Sequence, residues 1–389
     1  MGILSYSYSS DGSNYQKVFL IIFSLALGLR FVGINDSLVS DELVSVSIWG
    51  QMPLFQIPQN YQVPNNHIFH NLLVGLVLKV IGVNEFALRL PALIGGLASI
   101  VLVFVCAKKI TDNSVVALGA AFLITINIEH VYYSTNARGY TLVQAFALII
   151  FLLIFPLNKT SNEKVRRNKE FGWAKSLLIF LLCALGSWTI PTFAFFIGSL
   201  ILGTFWIFIY LEIDKRENLF FYMKVIFFLA FSLCVLYLEY FVIVPKGMLA
   251  NAISKGAEVD PVNFFSDLIA ILAERRLWLG FGIFIFAGIG MVEFYRKHRE
   301  VFFWFGNLFF APIVVVFLAY WVGVSDKIPH PRVLIYLQPF FFICFSYGLW
   351  QSINKFTSYF GEGEGFQKNT ILGYSLFIVP ILFFSTQDF

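Results

Sequence analysis

The stretch GVNEFALRLPALIGGLASIVLVF, residues 82–104, passes from a polar turn into a long apolar run, with Arg89 at the junction. A helix that spans a bilayer needs about 20 predominantly apolar residues. The run therefore predicts a spanning helix over 90–107. The rest of the chain has the same character, because 58% of its 389 residues are hydrophobic and only 13% are charged. An average soluble domain has roughly 25% charged residues, so the composition indicates a polytopic membrane protein.

About eleven apolar segments of this kind occur along the chain. Their approximate bounds are 18–34, 90–107, 114–132, 139–156, 174–189, 192–211, 220–243, 277–294, 301–322, 333–350 and 370–385. The run 68–83 is also apolar, but it is short and carries His70 and Lys79, so we expect an amphipathic helix at the membrane interface. The segment PVNFFSDLIAILAERR, 261–276, predicts a second interfacial helix. The expected fold class is an all-α polytopic membrane protein.

Positive charge predicts the orientation of these helices. Cytoplasmic loops collect Lys and Arg. With 68–83 kept at the surface, most basic residues fall on one side of the membrane, in loops such as 108–109, 159–175 and 296–299. We therefore expect a cytoplasmic N-terminus and an outer C-terminus. We also expect a single membrane domain over 1–389, with no separate soluble domain and with long outer loops at about 35–89 and 244–276.

Charge and cysteine usage narrow the classes of function. The net charge of +4 is small, and the basic residues lie in short inter-helix loops, which argues against nucleic acid as a partner. The four cysteines lie inside apolar runs, so we interpret them as small core residues. No metal-ligand spacing occurs, so a divalent metal is possible but not indicated. The polar N-terminus makes a cleaved signal peptide unexpected, and the first span would act as its own insertion signal.

Polar and charged residues gather at the outer ends of the predicted helices. The acidic pair Asp41 and Glu42 follows the first span in SLVSDELVS. One interpretation is a helix cap, with Ser40 or Asp41 preceding a helix that starts near Leu43. The other is a carboxylate general base at the membrane surface. The neighbouring polar clusters favour the second interpretation, and both acids are candidate catalytic residues.

Several outer residues are candidates for binding a phosphate. Arg138 begins a long apolar helix in EHVYYSTNARGY, and its planar guanidinium suits bidentate contact with phosphate. Tyr140 lies beside it, and Arg332 lies in the short loop before the tenth span. Arg89 either extends to the lipid headgroups or binds a lipid phosphate.

A second group of outer residues could bind a sugar or an acceptor. An amide or imidazole at the mouth of a cavity can contact sugar hydroxyls, although each could equally be a helix cap or a solvated loop residue. Tyrosines at an interface are commonly an aromatic belt, which is the default for Tyr132. An ionisable group at membrane depth is by default a functional candidate. The candidates are Asn66, His67, His130, Tyr133, Glu239 and His330.

The order of these motifs resembles a known family. A first span is followed by the acidic pair, NNH before an apolar helix, GVNEFALRLPALIGGLASIVLVF, and then HVYYSTNARGYTLV. This resembles the GT-C class of membrane glycosyltransferases, in the protein O-mannosyltransferase and aminoarabinose-transferase superfamily. It is most similar to the bacterial members grouped as glycosyltransferase family 39 or Rgt-like. The similarity is clear over roughly 15–155 and returns in HPRVLIYLQP.

The resemblance implies a GT-C fold, a substrate class and a mechanism. Such enzymes transfer a sugar from a polyprenyl-phosphate carrier to a glycan, lipid or protein acceptor on the outer face of the membrane, here the bacterial inner membrane. Asp41 would match the catalytic base, and Arg138 and Arg332 would match the residues that engage the carrier phosphate. The catalytic module would cover about 15–245, followed by the remaining helices, 246–389.

The sequence departs from that family at two points. Many relatives have an acid just before the Ala-Arg dipeptide of the second outer loop, where this chain has Asn136. A second catalytic or metal-binding carboxylate at that loop is therefore in doubt. Many relatives also have a soluble outer domain that follows the spans, and we expect none here.

Three other functions are compatible with part of the sequence. A transporter or flippase of lipid-linked sugars usually has polar residues near the midplane and repeated halves, neither of which is clear here. A non-catalytic membrane subunit would leave Asp41 as a cap. A polymerase or ligase of lipid-linked glycans would share the chemistry and differ in its acceptor.

Overall fold

A computed structural model describes most of the chain. The described residues are 10–50, 52–61, 66–155, 172–210, 216–238, 240, 242, 244, 259–273, 277–322 and 328–360. The predicted span 370–385 and the candidate Glu239 lie outside them.

This part of the chain is built almost entirely of helices. They are α1 (Ser10–Val32), α2 (Ser40–Ser45), α3 (Ile68–Ile81), α4 (Glu85–Thr111), α5 (Ser114–Ile126), α6 (Ile128–Ser134), α7 (Tyr140–Ile154), α8 (Trp173–Thr189), α9 (Phe193–Tyr210), α10 (Arg216–Leu238), α11 (Pro261–Ala273), α12 (Leu277–Lys297), α13 (Arg299–Trp321) and α14 (Gln338–Phe360). Each predicted span from 18–34 to 333–350 overlaps one of these helices or the pair α5 and α6, which confirms the all-α fold class.

Several of these helices have the length and composition of membrane spans. In the described chain, 5 helices are long and apolar enough to cross a membrane, or up to 6 if the bent pair α5 and α6 forms one span. Other apolar helices, such as α7 and α8, are shorter. The chain is an integral membrane protein, and the number of eleven spans stays a prediction.

Glycines allow α4 to approach its neighbours closely. A Cβ atom at Gly95 would lie 2.9 Å from the backbone nitrogen of Leu142 in α7, and one at Gly96 would overlap Ser134 in α6. A larger residue at either position would therefore push these helices apart. Asn84 begins α4, because its side chain accepts a hydrogen bond from the Ala87 N–H at 2.8 Å. These contacts fix α4 and α7, whose starts carry Arg89 and Arg138.

The polypeptide bends by 65° between α5 and α6. Asn127 lies at the bend, and its side-chain oxygen accepts hydrogen bonds from the His130 N–H at 2.9 Å and from the Gln338 amide at 2.8 Å. Gln338 also donates to the Ile271 carbonyl in α11, and its side-chain oxygen accepts from Gln144 in α7. Because buried amides need such partners, this network holds the start of α14 against α6, α7 and α11.

The two predicted interfacial helices are present as α3 and α11. Both are shorter than a span, and both pair buried residues with exposed apolar ones, such as Val80 in α3 and Val262 in α11. Asp260 caps α11 by accepting the N–H groups of Val262 and Asn263. Their location at the membrane interface stays a prediction, but both lie beside the residues described next.

Candidate active site

Asp41 lies between two arginines that come from distant parts of the chain. Its Oδ2 atom is 3.8 Å from Arg138 Nη2 and 3.9 Å from Arg332 Nη1. Arg138 precedes α7, and Arg332 lies in the 3₁₀ segment Pro331–Leu337 that leads into α14. The structure therefore brings together three of the predicted site residues.

The three side chains differ in burial. Asp41 is 37% exposed and Arg332 is 29% exposed, whereas Arg138 is 3% exposed. The N–O separations exceed normal hydrogen-bond lengths, so the attraction between these groups is mainly electrostatic. The arrangement places an accessible carboxylate beside two cations. The carboxylate can accept a proton, and the two guanidinium groups can bind an anion.

The capping interpretation of Asp41 does not fit the local geometry. Helix α2 begins at Ser40 and is preceded by Val39, whose backbone is extended. The Val39 N–H donates to Glu42 Oε2 at 3.0 Å, so Glu42 serves the helix start. Asp41 lies in the first turn with its carboxylate directed to the two arginines.

Glu42 and Arg89 form a buried two-point ion pair. Arg89 Nε donates to Glu42 Oε1 at 2.9 Å and Arg89 Nη2 donates to Oε2 at 2.7 Å. Arg89 also donates to the carbonyl groups of Gly33, Ile34 and Asp36. Burial alone would raise the pKa of Glu42, but hydrogen bonds from Arg89, Ala137 and Val39 hold that pKa below its usual value. The pair thus joins the segment between α1 and α3 to α4.

Glu42 also fixes the segment that carries Arg138. Its Oε1 atom accepts the Ala137 N–H at 2.7 Å, one residue before Arg138. On the other side, His67 Nδ1 accepts the Gly139 N–H at 2.9 Å. The guanidinium of Arg138 lies 5.8 Å from the ring centre of Tyr140, within the range of a cation–π contact. The side chains of Glu42 and His67 therefore hold the backbone on both sides of Arg138.

His67 is buried and is part of a row of aromatic rings. Its ring centre lies 5.1 Å from that of Tyr140, which lies 4.5 Å from that of Tyr133. Burial, reinforced by the charge of Arg138, lowers the pKa of His67 well below its usual value, so the ring is neutral at pH 7. Because Nδ1 accepts a hydrogen bond, we assign the proton of the neutral ring to Nε2. Tyr133 and Tyr140 are buried, and Tyr132 extends the row to the surface.

Asn66 and His130 are placed away from the Asp41 carboxylate. Asn66 is buried, donates to the carbonyl groups of Ile57 and Asn60, and accepts from Asn71. It therefore organises the segment that precedes α3. His130 is buried too, and its Nδ1 atom lies 2.7 Å from Arg30 Nη2.

Arg30 of α1 is fully buried and reaches across to α5 and α6. It donates to the Ala26 and Thr125 carbonyl groups, in addition to its contact with His130. A buried guanidinium needs such partners, so this residue ties α1 to the α5–α6 bend.

His330 connects the Arg332 segment to α11. Its Nε2 atom lies 3.5 Å from Asp267 Oδ2, and its Nδ1 atom accepts the Arg332 N–H at 3.2 Å. Burial and the Arg332 charge lower the pKa of His330, and the opposing effect of Asp267 is smaller. His330 is therefore mostly neutral at pH 7, and its contact with Asp267 is a weak polar contact. Asp267 could not be recognised as a site residue from the sequence, because it lies within an otherwise apolar amphipathic pattern.

The described residues do not include a group of three or more His, Cys, Asp or Glu side chains that could hold a metal ion. Asn136, which stands where many relatives of the resembled family have an acid, is buried.

Comparisons with known proteins give a fold but no family. No protein-family model matches the sequence, and no curated protein matches it. Among solved structures, the apo oligosaccharyltransferase of Archaeoglobus fulgidus is 14% identical, with a TM-score of 0.56, over 94% of this chain and 54% of that chain. The chain thus spans about half the length of that protein.

Two further solved structures are similar to this chain to about the same degree. The Archaeoglobus fulgidus oligosaccharyltransferase AglB, in complex with an inhibitory peptide and a dolichol-phosphate, is 13% identical with a TM-score of 0.55, over 95% of this chain and 54% of that chain. ArnT from Cupriavidus metallidurans, in the apo state, is 11% identical with a TM-score of 0.56, over 94% of this chain and 70% of that chain. On this evidence the chain has the GT-C fold of membrane glycosyltransferases.

Proposed function

We propose that this protein is an integral-membrane glycosyltransferase that moves a sugar from a polyprenyl-phosphate carrier to an acceptor. The convergence of Arg138 and Arg332 on the half-exposed carboxylate of Asp41 carries the proposal. A sugar transfer of this kind needs a base for the acceptor hydroxyl and cations for the departing phosphate. Asp41 can supply the base, and the two arginines can supply the cations at 3.8 and 3.9 Å from its Oδ2 atom.

In the proposed reaction Asp41 is the general base. The acceptor oxygen attacks the anomeric carbon while its proton passes to the Asp41 carboxylate. The bond between that carbon and the phosphate oxygen breaks, and the polyprenyl phosphate leaves with the bonding electrons. A single displacement of this type inverts the configuration at the anomeric carbon. Arg138 and Arg332 would stabilise the charge that grows on the phosphate.

The contacts of Glu42 and Arg89 favour positioning roles for both residues. Their charged atoms are engaged with one another and with backbone groups, and both side chains are buried. Tyr140, Tyr133 and His67 form the wall next to Arg138. Within this proposal they shape the donor pocket, and His330 positions Arg332 through the Arg332 N–H.

The likeness to AglB supports the choice of donor. That protein has the same fold and was solved with a dolichol-phosphate, which is a polyprenyl phosphate. We further propose that the chain is a family 39 or Rgt-like enzyme of the bacterial inner membrane. The site would face outward, since Lys108, Arg296 and Lys355 lie at the helix ends opposite the Asp41 site, as the positive-inside rule requires of the cytoplasmic side.

A donor-consumption assay tests the function directly. Purified protein would be given a panel of polyprenyl-phosphate sugars, with a membrane extract as the source of acceptor. We expect release of free polyprenyl phosphate from one donor class. Movement of intact lipid-linked sugar across vesicles, without release, would instead support a flippase and contradict the proposal.

We expect Arg332→Gln to lower the rate of donor consumption by about 10²–10³-fold, because one cation that stabilises the leaving phosphate is lost. Arg332 is partly exposed, so the exchange should leave the fold intact. The measurement is kcat with the donor identified by the panel. Arg296→Gln, an exposed arginine at the other end of the bundle, is the matched control and should retain full activity. A rate for Arg332→Gln within threefold of the control would contradict the role of Arg332.

A further inference from the structure

A groove of about 300 Å³ lies on the surface between α9 and α13, away from Asp41. It is lined by Trp206, Phe302, Phe303, Gly306 and Asn307. A Cβ atom at Gly306 would have Met291 Cε as its nearest neighbour at 4.0 Å, so the glycine leaves open space at the base of the groove. The groove is therefore lined mainly by apolar and aromatic side chains, and its volume is sufficient for part of an acyl chain.

One end of this groove is cationic. Tyr210 lies one helical turn beyond Trp206 in α9, and Arg299 lies one turn before Phe303 in α13. The guanidinium of Arg299 lies 5.4 Å from the ring centre of Tyr210 and 5.6 Å from that of Tyr295. The two tyrosine hydroxyl groups are 3.4 Å apart. A guanidinium and two hydroxyls thus form one exposed polar cluster at the end of an apolar groove.

Among the described residues, the charge around this cluster is positive. Close by, the buried carboxylate of Glu293 is contacted by Arg296, Lys297 and Lys355, which gives three cations for one anion. Glu300, next to Arg299, accepts a hydrogen bond from Tyr222 of α10 at 3.2 Å. Across the described residues, Arg299 itself forms no salt bridge with an acidic side chain. The electrostatic complement of this end of the groove is an anion.

The cluster is remote from the proposed catalytic residues. Gln338 begins α14 directly after the segment that carries Arg332. Lys355, which contacts Glu293, lies 17 residues further along α14, so the two ends of this stretch are roughly 25 Å apart at the rise of an α-helix. This separation is close to the thickness of a bilayer core. The groove and the Asp41 site therefore lie near opposite ends of the helices, and the groove is not the donor site.

We propose that the groove binds one anionic phospholipid. An acyl chain would lie along Trp206, Phe302 and Gly306, and the phosphate would contact Arg299 and the hydroxyls of Tyr210 and Tyr295. Arg binds phosphate through two parallel N–H donors, and tyrosine hydroxyls add further donors. A zwitterionic lipid would fill the same groove but would gain less from the surrounding positive charge.

Native mass spectrometry of the full chain in detergent tests this proposal. The purified protein would be titrated with phosphatidylglycerol and with phosphatidylcholine of identical acyl chains. We expect one bound phosphatidylglycerol with an affinity about fivefold higher than that of phosphatidylcholine, the effect of one well-placed arginine. Arg299→Gln should remove this preference. Gly306→Leu should weaken binding of both lipids, because its side chain enters the groove.

Two matched variants serve as controls. Lys108→Gln removes a partly exposed cation of α4 that is not among the charges described around the cluster, and Gly288→Leu places the same side chain on the exposed surface of α12, where open space also exists. Both should bind phosphatidylglycerol as the wild type does. Equal affinity of the wild type for the two lipids would overturn the proposal. So would losses in the two controls that match those of Arg299→Gln and Gly306→Leu.

Discussion

Replacement of Asp41 by asparagine is expected to lower donor consumption by about 10²–10⁴-fold, the usual contribution of a positioned general base. Asparagine has the shape of aspartate but cannot accept the acceptor's proton. The carboxylate is 37% exposed and lies in the first turn of α2, so its loss should change the fold little. The measurement is the release of free polyprenyl phosphate from the donor that the wild type consumes.

Donor binding separates a catalytic loss from a structural one. The Asp41→Asn variant retains Arg138 and Arg332, and it should bind the donor at least as well as the wild type does. Asp36→Asn is the matched control, since Asp36 is an exposed aspartate of the same loop, and it should remain active. Full activity of Asp41→Asn would contradict the assignment of Asp41 as the general base. Loss of both activity and thermal stability would point to a structural role for Asp41.

The Arg89→Met substitution is expected to destabilise the protein by about 3–5 kcal/mol, the usual cost when one partner of a buried ion pair is removed. The carboxylate of Glu42, which is fully buried, would lose its two hydrogen bonds from Arg89. The carbonyl groups of Gly33, Ile34 and Asp36 would lose a donor as well. A fall in Tm of the purified protein in detergent would measure the effect.

The double variant Glu42→Leu with Arg89→Met tests the cause of that loss. It removes the uncompensated buried charge, so it should recover part of the stability that Arg89→Met loses. Arg296→Met, at an exposed ion pair, is the control and should change Tm little. An unchanged Tm for Arg89→Met would show that the buried pair does not hold the segment between α1 and α3.

The same pair predicts a dependence of stability on pH. The pKa of Glu42 is lower in the folded protein than in the unfolded chain, where it has its usual value. Its contribution to stability is therefore complete above the unfolded pKa and is lost as the pH falls through the folded pKa. We expect Tm of the wild type to fall on acidification, and Glu42→Gln to fall less over the same range. A parallel fall in both proteins would contradict this origin.

The fold class could be predicted from composition and periodicity. The apolar runs match the helices because a bilayer requires long apolar segments with internally satisfied backbones. The two short amphipathic segments, α3 and α11, could be recognised from their length and charge. The division of the outer residues into roles could not be predicted, because it depends on contacts between segments far apart in the chain.

Glu42 and Arg89 illustrate this limit. In the sequence, Glu42 looks like a second catalytic acid beside Asp41, and Arg89 looks like a phosphate-binding arginine. The structure pairs them with each other across 47 residues. Neighbouring residues of a short helix point in different directions. The side chain of Asp41 therefore faces Arg138 and Arg332, while that of Glu42 faces the interior.

Hydropathy and residue order are sufficient to predict an all-α membrane protein with acids, imidazoles and arginines at one end of its helices. The position of Asp41 beside Arg138 and Arg332 depends on the packing of the helices, because Arg332 follows Asp41 by 291 positions in the chain. Hydropathy is a local property, because each span must satisfy the bilayer over its own length. The pairing of charges depends on how the helices pack. That packing rests on close contacts such as the one between Gly95 and Leu142. Local sequence patterns do not specify which residues meet in such contacts.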